Sequence, residues 1–199
     1  MKPGLWESCC RWSGTGLTAE QEAVLYRYRD WLLDEAVQAG GLGPNESDRV
    51  DDRHIGDSLL FAGGFSTPPS QVLDVGSGVG LPGIPLAIVM PDTEFHLLDR
   101  SGRRADLMRR ALRVLDLPNA DVVHADISEW GSPVDGIVSR GSLSPDQALV
   151  GFKRLLNPGG SAVVGGSWAR RPQVDGFEPL EVPASILDQK VWLLIMRQQ

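Results

Sequence analysis

The stretch Val72-Leu73-Asp74-Val75-Gly76-Ser77-Gly78-Val79-Gly80-Leu81-Pro82-Gly83 decides how this chain is read. An apolar strand runs directly into glycines, which let the backbone turn tightly and approach a ligand closely. Pro82 falls where the first turn of a helix tolerates a missing N–H, and Pro85 is still early enough to be accommodated. Such a turn at the carboxyl end of a first strand is where doubly wound sheets bind nucleotides. Gly78-Val79-Gly80-Leu81-Pro82-Gly83 matches G-x-G-x-x-G, so a dinucleotide fits the pattern, as does a merely structural turn. Asp74 separates these readings: a carboxylate at the strand end repels a pyrophosphate and suits the cationic end of S-adenosylmethionine. Asp99, ending the next strand, can accept from both hydroxyls of a ribose and fits either ligand. Together they favour S-adenosylmethionine as the cofactor.

Outward from this turn, short apolar runs alternate with helical ones. Strands are expected over residues 71–75, 94–99, 121–124, 134–139, 161–164 and 191–196, and helices over 86–89, 103–115 and 147–156. The alternation implies right-handed crossovers and a mainly parallel sheet with helices on both faces. Leu156-Asn157-Pro158-Gly159-Gly160 reads as a turn ahead of the fifth strand. Residues 1–16, with Pro3, Gly4, Gly14 and Gly16, read as an irregular arm. Thr18-Ala19-Glu20-Gln21 has capping-box spacing. The apolar series behind it (Val24, Leu25, Tyr28, Trp31, Leu32, Ala36) keeps a helical period until Gly40-Gly41, and a weaker helix covers 50–62. Pro68-Pro69 marks the boundary between a helical extension, residues 1–65, and an α/β core, residues 66–199.

The 199 residues suit one domain of ordinary size, and a hydrophobic content of 42% is enough for a core. No run approaches the roughly 18–20 apolar residues of a membrane span. Lys2 is not followed by the apolar stretch of a secretory leader. Cys9 and Cys10 are adjacent, which suits neither a disulfide framework nor a metal site, and they read as reduced thiols near a loose terminus. A cytosolic protein without metal is expected. With 19 Lys+Arg against 26 Asp+Glu and a net charge of −7, the chain is not a general nucleic-acid coat protein, although a local basic patch is compatible with that balance.

Several segments narrow the reading together: Asp74-Val75-Gly76-Ser77-Gly78-Val79-Gly80-Leu81-Pro82-Gly83-Ile84-Pro85-Leu86, Leu97-Leu98-Asp99-Arg100, Arg53-His54-Ile55-Gly56-Asp57-Ser58-Leu59 and Val138-Ser139-Arg140. In order and spacing they resemble the bacterial 16S ribosomal RNA guanine-N7 methyltransferase G family, also called glucose-inhibited division protein B, among the class I S-adenosylmethionine-dependent methyltransferases. The resemblance implies a Rossmann-like, doubly wound, mostly parallel seven-stranded sheet with an N-terminal helical extension. It implies methylation of N7 of a guanine in small-subunit RNA, with 16S ribosomal RNA or the small subunit as partner, and a monomer is expected. It places Gly76 and Leu81 against the cofactor, Gly78 in the turn, Asp99 at the ribose, Ala125 and Asp126 at the adenine, and Arg140 at the mouth of the site. Three departures fall on the presumed substrate side. Asn45-Glu46-Ser47 stands where the family has Asn-Leu-Thr, Val164-Gly165-Gly166-Ser167 lacks the family's Lys, and Gly141-Ser142 replaces Ala-Phe. A family member acting on a different RNA or a small molecule, and a cofactor-binding assembly factor without activity, stay open as other readings.

The residues agree with N7 chemistry by omission. Guanine N7 carries a lone pair and no proton, so its methylation requires positioning rather than a general base. Ser139-Arg140-Gly141-Ser142 replaces the Asp/Asn-Pro-Pro-aromatic turn of exocyclic-amine methyltransferases, and no cysteine lies there for pyrimidine C5 chemistry. Arg140 can hydrogen-bond guanine O6 or a phosphate, or shape the cofactor pocket. His54 and Asp57, spaced i, i+3, are expected to clamp over the cofactor. Asp126 also reads as a helix N-cap, and His96 and His124 as satisfied core residues. On the helix over 103–115, Arg103, Arg109, Arg110 and Arg113 fall on one side, with Leu107, Ala111, Val114 and Leu115 largely on the other. Beside Arg100 and Arg104 this face could neutralise RNA phosphates, with Lys153, Arg154, Arg170 and Arg171 extending it; a solvated face with an Asp106–Arg110 pair is the alternative.

Overall fold

The computed structural model describes residues 3–43, 46–168 and 170–199, without the side chains of 145, 146, 149 and 166–168; Lys2 and Asn45 lie outside these residues. Seven strands form one sheet: β1 (Gln71–Val75), β2 (Glu94–Asp99), β3 (Ala120–His124), β4 (Val134–Ser139), β5 (Leu156–Trp168), β6 (Glu178–Val182) and β7 (Val191–Arg197). Their spatial order is β3-β2-β1-β4-β5-β7-β6. β1 to β5 pair in parallel, and β7 runs antiparallel between β5 and β6. Alternate residues point to opposite faces. Val72, Leu193 and Ile195 pack on one side, and Leu73, Leu194 and Met196 on the other.

The first face is covered by α1 (Leu5–Ser13), α2 (Ala19–Trp31), α3 (Asp57–Leu59), α4 (Gly83–Val89) and α5 (Gly102–Leu115). α6 (Pro145–Lys153) covers the second face with Ala148 and Phe152, and a short α7 (Ala184–Leu187) precedes β7. The helices before β1 therefore share a core with the sheet. Among the described residues no helix is long and apolar enough to cross a membrane.

The N-terminal segment corrects the sequence reading. Residues expected to form an irregular arm contain α1, and its flanking glycines are caps: Gly4 (φ +67°) precedes it and Gly14 (φ +79°) ends it. Only a residue without Cβ takes that left-handed conformation freely, so glycine stops a helix cleanly there. Leu5, Trp6, Cys9 and Cys10 form the buried stripe, while Glu7 and Arg11 pair outside at 2.6 Å. Both thiols are thus core residues rather than groups at a loose terminus, and burial pushes them up to about 12 and about 11.

Thr18 makes the expected capping box: the Gln21 N–H donates to Thr18 Oγ1 at 3.2 Å, and the Thr18 N–H donates to Gln21 Oε1 at 2.9 Å. The helical stretch expected over 50–62 is one wound segment of changing pitch, wide over Val50–Gly56, α-helical over α3 and tight over Leu60–Gly64. The turn expected at 156–160 belongs instead to an irregular start of β5, where the register with β4 shifts and the Gly159 N–H donates to the Gln198 carbonyl at 3.0 Å. His124 is an exposed side chain at the end of β3 and not a core residue, since β3 is the sheet edge. His96 is satisfied by Asp121, at 2.6 Å.

Candidate active site

The carboxyl ends of β1 to β4 open into one cleft of about 560 Å³, a size typical of small-molecule sites. It sits where the strand order reverses between β1 and β4, the position at which doubly wound sheets leave a crevice. The glycine turn forms its floor. Gly76 and Ser77 both donate to the Leu98 carbonyl, at 2.9 and 3.0 Å, which pins the turn to β2. Gly76 has φ +72°, and a Cβ there would stand 2.2 Å from Ser142 Cβ, so backbone conformation and space both require glycine.

Asp99 organises the facing wall. Its Oδ2 accepts from the Gly78 N–H at 2.9 Å and its Oδ1 from the Ser101 N–H at 2.8 Å. Each oxygen keeps further acceptor capacity, and Asp99 lines the cleft together with Leu81, Arg100, Ala125, Asp126 and Arg140. The structure therefore brings Gly76, Gly78, Leu81, Asp99, Ala125, Asp126 and Arg140 to one cavity. Asp126 caps the short turn Ile127–Glu129 as well, accepting from the Ser128 N–H at 2.9 Å; that bond holds its carboxyl below the usual range.

Asp74 stands elsewhere. It is fully buried behind the turn and is not among the residues that line the cleft, whereas the sequence reading set it against the cationic end of the ligand. Its Oδ2 accepts from Ser77 Oγ at 2.5 Å and from the Gly83 N–H at 2.8 Å, bracing both ends of the glycine turn. Its Oδ1 is buried with no hydrogen-bond partner among the described residues. Burial pushes its pKa up from 3.8 to about 6, against the opposing effect of the Ser77 and Gly83 bonds. An under-satisfied carboxylate behind the floor favours a cation placed on that floor. S-adenosylmethionine, with its sulfonium and ammonium groups, fits this arrangement; a pyrophosphate does not.

A family described as GidB, rRNA small subunit methyltransferase G, matches residues 21–171 of the chain. The chain belongs to this family. Membership implies S-adenosylmethionine as the methyl donor, in agreement with the cleft. "Ribosomal RNA small subunit methyltransferase G" of Mycolicibacterium gilvum is 38% identical over 139 residues, covering 67% of this chain and 60% of that protein. The protein of the same name from Salmonella paratyphi B is 33% identical over 173 residues, covering 86% and 80%. The chain thus spans about 60% of the length of the Mycolicibacterium relative. Among solved structures, Precorrin-6y C5,15-methyltransferase from Geobacter metallireducens superposes with a TM-score of 0.54 at 14% identity, over 71% of this chain and 88% of that one, which shows the shared methyltransferase fold.

In this GidB-family chain His54 and Asp57 act on Arg140 and do not line the glycine-turn cleft. Arg140 Nη1 donates to the Arg53 carbonyl at 2.9 Å and to Asp57 Oδ2 at 3.3 Å, and its Nη2 lies 3.4 Å from His54 Nδ1. A guanidinium only donates, so His54 Nδ1 is the acceptor, and its Nε2–H then donates to Glu46 Oε2 at 3.0 Å. Burial and the Arg140 cation lower the His54 pKa, which keeps the imidazole neutral as that geometry requires. Burial raises the Asp57 pKa and Arg140 opposes the rise. Arg140 and Gly141 also line a second cavity of about 310 Å³, whose walls carry Glu46, Arg49, Arg53 and Trp192. Arg140 is a post in the wall between the two.

The arginine face of α5 is partly committed within the fold. Arg103 donates to the Ala39 carbonyl, Arg110 lies 3.7 Å from Glu35, and Arg104 lies 3.8 Å from Asp99. Asp106 pairs with Arg109 at 2.8 Å, one residue earlier than the expected Arg110. Val114, expected on the apolar side, is solvent-exposed. Arg113 and Arg100 are exposed, Arg100 at the rim of the cleft. Arg154 donates to the Ile127 carbonyl at 2.8 Å, and Arg171 lies over the Trp192 ring at 5.9 Å.

Two site features escape sequence reasoning. Tyr28 of α2 donates its hydroxyl to the Val79 carbonyl in the glycine turn at 3.0 Å, and its helical spacing alone reads as plain core. Ser142 donates to the Val75 carbonyl at 2.7 Å and sits 2.7 Å from Ser139 Oγ, closing the turn from the β4 side. The departure at Gly141-Ser142 was a signal that this corner differs, although nothing in it pointed to Val75.

Proposed function

We propose that this chain transfers a methyl group from S-adenosylmethionine to N7 of a guanine in 16S ribosomal RNA. The observation that carries this reading is Arg140, fixed by three partners in the wall shared by a glycine-floored cleft and a second cavity lined by arginines. The cofactor supplies an electrophilic methyl group. Gly76, Gly78 and Asp99 bind and orient the donor side. Arg140, whose remaining N–H groups are available to guanine O6 or a phosphate, orients the acceptor. Since N7 has no proton to remove, alignment and exclusion of water are sufficient chemistry. Arg100 and Arg113, exposed on the cleft side of the sheet and on α5, suit phosphate contacts with folded RNA.

The test uses small subunits and free 16S RNA from cells lacking the modification, incubated with the protein and labelled cofactor, with the product mapped by mass spectrometry. One 7-methylguanosine is expected. Arg140→Ala is expected to lower turnover by about 100-fold or more, the loss of a positioning contact, with unchanged circular dichroism. Methylation of another acceptor, or cofactor binding without transfer to either RNA, overturns the reading.

A further inference from the structure

We propose that Glu46 reads the base, accepting N1–H and the N2 amino group of guanine inside the second cavity, with His54 setting its orientation. This rests on the guanine-N7 function proposed above.

The cavity has the parts a nucleotide site needs. Arg49 is exposed beside it, where a phosphate would enter, and the largely buried Trp192 ring, with Arg171 over it, forms part of its wall. Glu46 is partly buried at its edge, and the His54 bond occupies only Oε2. Among the described residues no hydrogen bond ends on Oε1. Because Arg140 fixes the His54 tautomer, the hydrogen-bond order runs Arg140 to His54 to Glu46 without ambiguity, and the carboxylate is held as an acceptor.

Guanine chemistry matches that acceptor. N7 and the N1–H/N2 edge lie on opposite sides of the purine, so a base whose N7 faces the Arg140–Gly141 wall turns its two donors away from it. A carboxylate accepts both donors at once. Adenine presents a lone pair at N1, which a carboxylate repels, and inosine lacks the N2 amino group. Enzymes that act on an extruded base read it by hydrogen bonds to this edge combined with stacking. A good bidentate contact discriminates by about 10- to 100-fold.

The experiment measures kcat and KM for wild type and Glu46→Gln on 16S RNA carrying either guanine or inosine, the latter introduced by ligation at the methylated position. For wild type, inosine is expected to lower kcat/KM about 10-fold or more. Glu46→Gln is expected to lower activity on guanine by about 10- to 100-fold and to shrink the guanine-to-inosine ratio towards one, while cofactor affinity by calorimetry is unchanged. A variant that loses activity on both RNAs with the ratio preserved, or that loses nothing, overturns the role of Glu46 and leaves the guanine function standing. Wild-type protein that binds the cofactor and methylates no guanine overturns the function and this inference with it.

Discussion

Replacing Asp74 with Asn tests whether a strained charge underlies the cofactor cleft. The carboxylate is wholly buried, with one oxygen unpartnered among the described residues, and burial raises its pKa from 3.8 to about 6. A shift of roughly two units means that holding the ionised form at pH 7 costs the fold about 3 kcal/mol. The sign follows from an acid whose folded pKa lies above its unfolded one. Its contribution to stability is complete below 3.8 and is lost as pH rises through about 6. Between pH 7 and pH 5 this single group should therefore stabilise the ligand-free protein by about 1 kcal/mol. The absolute stability of Asp74→Asn is uninformative, because relief of the charge is offset by an amide N–H₂ group without a partner, at about 1–3 kcal/mol. The slope is informative: urea unfolding at pH 5, 6 and 7 should show the gain in wild type and not in the variant. Cofactor binding at pH 6, followed by calorimetry in buffers of different ionisation enthalpy, should release about half a proton from Asp74 in wild type and none from the variant position. Parallel stability curves for the two proteins would refute the assignment of a charged, cation-seeking carboxylate behind the turn.

Two further substitutions probe the same turn. Gly83→Ala places a Cβ 2.3 Å from Leu97 Cδ2 and 2.6 Å from Asp74 Oδ2, and should destabilise the protein by about 1–3 kcal/mol, read as a lower urea midpoint with an unchanged slope. Tyr28→Phe removes the donor to the buried Val79 carbonyl, which should cost about 1–3 kcal/mol. It should also weaken cofactor binding in calorimetry, whereas unaltered affinity would make Tyr28 a packing residue only.

What the sequence disclosed depended on distance along the chain. Asp74, Gly76, Gly78 and Asp99 were legible because a strand end, a glycine turn and the next strand end carry their meaning within a single βαβ unit. Ala125, Asp126 and Arg140 were placed by the family resemblance, and the sheet order brings the strand ends that carry them to one cleft. α1 was hidden because Gly4 and Gly14 look like breakers whether they interrupt a helix or cap it. β6 was hidden because Glu178-Pro179-Leu180-Glu181-Val182 is short, contains proline and sits at a sheet edge, where a missing N–H is tolerated. The Tyr28–Val79 and Arg140–Asp57 contacts join residues far apart in sequence, and no periodicity encodes them. The buried setting of Asp74 was illegible for a related reason. A residue's place at a strand end does not reveal that Ser77 and Gly83 will fold back over it.

The segments before β1 are part of the site rather than an attachment to it. α2 holds the glycine turn through Tyr28, and the wound segment ending in α3 holds Arg140 through the Arg53 carbonyl, His54 and Asp57. Gly41 and Leu42 line the cleft beside Val79. The sheet supplies the carboxyl-end crevice that any doubly wound fold provides, and fold alone carries no substrate. The segments before β1 hold both the glycine turn, at Val79, and Arg140 at the opposite wall of the cleft. The proposed transfer to N7, which needs no proton acceptor, would depend on the relative placement of its two reactants, and an error of about 1 Å can cost about 100-fold in rate. Linking both sides to one buried helical layer, packed on the sheet through Tyr28, Leu32, Ile55 and Phe61, is a direct way to keep that placement.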